Sequence, residues 1–135
     1  GQKMSKSYNN TIPLFDTDKK LRKQIMRIIT DTTDIDDPKD KDTPLFQLYS
    51  LFLDEREQKK LADRYEGKGL RYGDVKQELY DKVLDVFGPY REKRENLISN
   101  PNQVYEILDT GAKKAQQVAE DVLDRVRSAS GVNYS

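Results

Sequence analysis

The stretch "VKQELYDKVLDVFGPYREKRENLI", residues 75–98, decides the fold. Val75, Leu79, Val83, Val86 and Tyr90 recur at steps of three or four, which puts them on one face of a helix, with charged residues around the rest. A half-buried strand would alternate apolar and polar residues, and this stretch does not. Gly88-Pro89 interrupts it. Proline lacks the amide that a helix interior uses and its ring crowds the preceding turn, so a kink or break is expected there.

The same period continues on both sides. Downstream, "SNPNQ" (99–103) restarts a helix, with Asn100 as cap, Pro101 at the first helical position and Gln103 completing a capping box. Val104, Leu108, Gly111, Ala115, Val118, Val122 and Val126 then line one face, and the small residues Gly111, Ala112, Ala115 and Ala119 permit close approach of another helix. "SGVNYS" (130–135) is expected to fray. Upstream, "EGKGLRYGD" (66–74) is a connector, and a weakly apolar helix is expected from about Asp54 to Tyr65. Before it, Thr43 caps and Pro44 opens a short helix marked by Leu45, Leu48, Tyr49 and Phe52, ending near Leu53. "TDKKLRKQIMRIITD" (17–31) gives one more, with Leu21, Ile25, Ile28 and Ile29 on its apolar face and Asp16, Thr17 and Asp18 as candidate caps. The prediction is an all-α chain, a bundle of about five helices.

Between the first two helices, "DTTDIDDPKDKDTP" (31–44) holds six Asp and reads as a solvated loop. No register supplies the Gly and terminal Glu of an EF-hand. Gly67, Gly69 and Gly73 have the wrong spacing for a phosphate-binding glycine loop and no strand before them.

Composition narrows the chemistry. Charged residues make up 36% of the 135, against about 25% in ordinary domains, so the core must be lean. Lys+Arg and Asp+Glu balance at 24 each, and neither Cys nor His occurs, which removes thiol catalysis, His-centred triads and the usual zinc sites from this chain. No metal-ligating residue set stands out. No apolar run reaches membrane-span length, and a soluble, cytoplasmic protein is expected.

Charge is segregated, however. Residues 1–30 carry seven basic side chains (Lys3, Lys6, Lys19, Lys20, Arg22, Lys23, Arg27) against Asp16 and Asp18, and the acidic loop follows. The chain opens without an initiator Met, and Lys3-Met4-Ser5-Lys6-Ser7 sits at its edge. Two lysines flanked by hydroxyls suit phosphate oxygens, yet nothing precedes them to hold the rest of a nucleotide. The chain is therefore expected to be the back part of a longer enzyme.

"KMSKSYNNTIPLFD" (3–16), the basic helix, "YGDVKQEL" (72–79) and "ILDTGAKKAQQVAEDVLDRVR" (107–127) together resemble the tryptophanyl-tRNA synthetases, class I enzymes, over essentially the whole chain. Tyrosyl-tRNA synthetases are the nearest alternative, and a non-catalytic helical module binding RNA or protein is the alternative from another class. The resemblance implies that residues 1–16 end a Rossmann-type catalytic domain and that 17–135 form a helical domain serving tRNA. It implies an ATP-dependent ligase, with Mg2+ accompanying ATP, acting on tryptophan and tRNA(Trp) and assembling as a homodimer. Lys3 and Lys6 match the catalytic lysines, and Met4, Ser5 and Ser7 complete the ATP-binding loop. Lys113, Lys114, Arg91 and Arg94 are the candidate tRNA contacts. Without the upstream amino-acid pocket, the chain alone is expected to be inactive.

Overall fold

Thr17 opens the helical part of the chain. Its hydroxyl accepts the Lys20 amide at 3.4 Å, and α1 runs Asp18–Met26. Four more helices follow in the computed structural model, which describes residues 3–132: α2 (Pro44–Ser50), α3 (Glu55–Glu66), α4 (Tyr72–Ser99) and α5 (Pro101–Ser130). Apart from them there is one 3-10 turn and no strand among the described residues, so the chain is all-α.

Local chemistry explains the boundaries. The Thr43 hydroxyl accepts the Phe46 amide, and Pro44 fits the first position of α2 because its missing amide would have no intrahelical partner. The α2 helix stops at Ser50 rather than near Leu53, because the amides of Leu51, Phe52 and Leu53 turn back to carbonyls only three residues earlier. Asp54 and Glu57 cap α3 reciprocally, at 2.8 and 3.0 Å.

Neither a break at Gly88-Pro89 nor a capping box at Asn100 forms. Gly88-Pro89 does not break α4, which continues through Pro89 to Ser99. Asn100 makes no side-chain cap, so the Gln103 capping box does not form. Its backbone is already committed: its amide closes α4 onto the carbonyls of Asn96 and Leu97, while its own carbonyl receives the Gln103 amide at 3.2 Å.

The chain divides into two compact units, one ending at Arg91 and one beginning at Glu92. The first holds the core: Leu21 and Ile25 from α1, Leu45 and Tyr49 from α2, Leu61 and Tyr65 from α3, Leu70, and Val75, Leu79, Tyr80 and Val83 from α4. The expected stripe on α4 holds only to Val83. Val86 and Tyr90 face outward, and Phe87, four residues after Val83, turns in to meet Phe15 and Phe52 edge-on at 6.4 and 6.3 Å. Ile29 is 85% exposed because α1 has already ended. Ile12 and Leu14 pack against this core, so the segment before α1 is part of the same unit.

The acidic loop is anchored rather than merely solvated. Lys39 is buried, its amide bonds the Tyr65 carbonyl at 2.6 Å, and its ammonium donates to the carbonyls of Thr33 and Asp34. That ammonium also lies 5.6 Å from the centre of the Tyr72 ring. Gly69, at φ +86°, donates its amide to Ile35 and fixes the other side. The Thr33 hydroxyl and amide and the Tyr72 hydroxyl hold the Asp31 carboxyl below the usual range.

The second unit has no buried residue on α5. Val118, Val122, Leu123 and Val126 are all exposed, and the helix closes on Gly131 in the left-handed conformation.

Candidate phosphate-binding loop and basic faces

Lys3 to Asn10 form a loop whose shape comes from side chains. Ser5 is extended, and its hydroxyl accepts the Tyr8 amide at 3.3 Å, starting a single 3-10 turn over Lys6–Tyr8. Asn9 ends that turn at φ +51°, a conformation asparagine tolerates better than most residues, and donates its amide to the Lys6 carbonyl. Asn10 reaches back across the loop. Its Oδ1 accepts the Ser5 amide at 2.7 Å, and its Nδ2 donates to the Lys3 carbonyl at 3.4 Å. From α1, Gln24 Nε2 donates to the Asn9 carbonyl at 2.9 Å.

This frame leaves Lys3, Met4, Lys6 and Ser7 exposed and Ser5 half-buried. No described carboxylate pairs with either lysine. Two free ammonium groups and two hydroxyls beside a fixed turn make an anion-binding arrangement. Phe15 and Arg91 hold the loop's downstream end on the core, as the Arg91 guanidinium donates to the Leu14 carbonyl and to Asp18.

The remaining basic residues separate by role. On α1, Lys20 pairs with Asp16 at 3.0 Å and Arg22 donates to Gln77, while Lys19, Lys23 and, just past the helix end, Arg27 are exposed. Arg91, expected to face tRNA, is instead 20% exposed and engaged within the fold. Arg94 bonds Glu95 at 3.2 Å and remains half exposed. Lys113 forms an exposed pair with Asp109 one turn earlier at 2.6 Å, and Lys114 is exposed beside it. Arg94, Lys113 and Lys114 belong to the second unit, and Lys3, Lys6 and Arg91 to the first.

Sequence reasoning singled out the lysines as candidates and missed the residues that shape their loop. Asn10 and Gln24 were visible only as polar residues, since neither a loop-spanning amide nor a bond over 15 residues has a local signature.

Residues 1–88 match the family described as tRNA synthetases class I (W and Y), and the chain belongs to that family. Within it, the relatives fall on the tryptophan side. A tryptophan–tRNA ligase of Rhodopirellula baltica is 50% identical over 98% of this chain, and one of Fusobacterium nucleatum is 42% identical over the same share. A crystal structure of Campylobacter jejuni tryptophanyl-tRNA synthetase, complexed with ADP and tryptophan, superposes with a TM-score of 0.90 at 44% identity over 98% of this chain. The chain spans only 42% of the Rhodopirellula and Campylobacter proteins.

Proposed function

We propose that this chain is the part of a tryptophan–tRNA ligase that supplies the ATP-phosphate loop and the helical domain serving tRNA(Trp). Residues 1–16 would complete the catalytic domain and 17–135 would form the helical domain. The observation that carries the reading is the Lys3–Asn10 loop, ordered by its own side chains and presenting two lysines that pair with no carboxylate among the described residues.

The chemistry suits that loop. A tryptophan carboxylate oxygen attacks the α-phosphorus of ATP while the bond to the bridging oxygen breaks, and pyrophosphate leaves with the negative charge. Lys3 and Lys6 stabilise charge that develops as the bond breaks, so they favour the transition state over bound ATP. Ser5 and Ser7 add hydroxyl donors, and Met4 lines the loop. Mg2+ would accompany ATP on its phosphates. Arg94, Lys113 and Lys114 are the tRNA-facing candidates, Arg91 being occupied. The parent is proposed to work as a cytoplasmic homodimer. Among the described residues no helix is long and apolar enough to cross a membrane.

Single-turnover adenylate formation by the intact ligase tests the loop. Lys6→Ala removes one preorganised cation and should slow the saturating rate about 10²–10³-fold, or roughly 3–4 kcal/mol. Transfer from preformed adenylate should be nearly spared, since no pyrophosphate departs in that step. Lys6→Arg should rescue only in part, because a planar fork does not replace a point charge. A change confined to apparent ATP affinity would make Lys6 a passive binder and defeat the assignment.

A further inference from the structure

We infer that Asn10 and Gln24 are positioning residues for the Lys3 and Lys6 cations, an inference that rests on the loop's proposed part in adenylate formation. Lys3 to Ser5 lie outside any helix or strand, so regular backbone bonding does not fix them. Asn10 does so instead. One side-chain amide ties the Ser5 amide (2.7 Å) to the Lys3 carbonyl (3.4 Å), closing the loop into a ring around the turn that carries Lys6. Both polar ends of Asn10 are used inside the loop, so it acts through the lysines rather than on a ligand.

Gln24 gives that ring its place on the fold. It sits in α1 between Leu21 and Ile25, both fully buried, and so projects from a helix that the core holds still. Its bond to the Asn9 carbonyl, at 2.9 Å, falls at the left-handed residue where the chain reverses. Position therefore passes from core to α1, from Gln24 to Asn9, and through the ring to Lys3 and Lys6. An error of about an ångström in a charge aimed at a leaving group costs up to about a hundredfold in rate.

The test is a set of cycles in the intact ligase, read as single-turnover adenylate formation at saturating ATP. Asn10→Ala should slow that step about ten- to a hundredfold. Gln24→Ala, which removes one hydrogen bond, should slow it about two- to tenfold. Transfer from preformed adenylate should change little in either. Asn10→Asp keeps the acceptor for the Ser5 amide but sets a carboxylate against the Lys3 carbonyl and beside both lysines, so it should recover little of the loss. In a Lys3→Ala, Lys6→Ala background, Asn10→Ala should cost less than about twofold, because the groups it places are gone. If the lysine variant itself keeps the full rate, the proposed function of the loop falls and this inference with it. If the lysines matter but Asn10→Ala has no effect, or has the same effect in both backgrounds, the positioning role is overturned while the loop's function stands.

Discussion

Arg91 and Lys39 show how far a charged residue's role depends on partners distant in sequence. Arg91 looks like a surface cation on a basic helix. Its guanidinium reaches the Leu14 carbonyl 77 positions away and Asp18 73 positions away, joining the segment before α1, the start of α1 and α4. Removing it leaves a half-buried carbonyl without its donor. Arg91→Met, which keeps the stem, should destabilise the chain by about 1–3 kcal/mol in urea unfolding. Arg94→Ala, at an exposed site, should stay within about 0.5 kcal/mol. Equal costs for the two would remove the structural role assigned to Arg91.

Among the elements, α4 is the instructive case, because its reading was half right. Periodicity identified the helix and most of its core face, Val75, Leu79 and Val83. It failed beyond Val83, where a drift of one position brings Phe87 inward and leaves Val86 40% exposed. An apolar pattern marks a face only to within a residue, and the packing of rings from Phe15 and Phe52 made the choice. The caps at Thr17 and Thr43 were legible because each needs only residues within three positions, whereas Asp54 was legible only as the start of a helix and not as its cap. Asn100 was misread because its backbone serves two helices at once. Gly88-Pro89 suggests a kink or break, and the helix runs on for ten residues beyond Pro89. The proline is exposed, so its ring contributes little packing, while it deprives Asp85 of a backbone donor. Pro89→Ala should therefore stabilise the chain. A helix-interior proline costs about 3 kcal/mol, and lost rigidity in the unfolded chain returns at most about 1, leaving a gain of about 2. Thermal unfolding monitored by circular dichroism gives the sign, and a lower midpoint would mean that α4 depends on the proline.

At the scale of the whole molecule, a net charge of zero conceals separated fields. The N-terminal thirty residues are basic and the acidic loop follows, while α5 carries Lys113 and Lys114 at an exposed site. If these lysines meet tRNA phosphates, affinity of the intact ligase for tRNA(Trp) falls steeply with salt. Lys113→Ala with Lys114→Ala should then weaken binding and reduce the log–log salt slope by about two. An unchanged slope would return both residues to the solvated surface. The candidate phosphate loop was legible because its residues are contiguous, whereas the candidate tRNA-facing lysines and arginines, scattered over long helices, left only a tendency of charge.

The confinement of the buried core to the first unit has a consequence for folding. In that unit each helix is held by the others, so loss of one exposes the side chains of all, and unfolding there is cooperative. The α5 helix has no buried side chain, and its 30 residues depend on local hydrogen bonds and neighbouring ion pairs. Helices of that kind fray from their ends by small steps instead of melting at once. Backbone amides of α5 will exchange with solvent through these local openings, while those beneath Leu21, Leu79 and Tyr65 wait for the first unit to open as a whole. The chain thus carries two thermodynamic regimes in one polypeptide, one all-or-none and one graded.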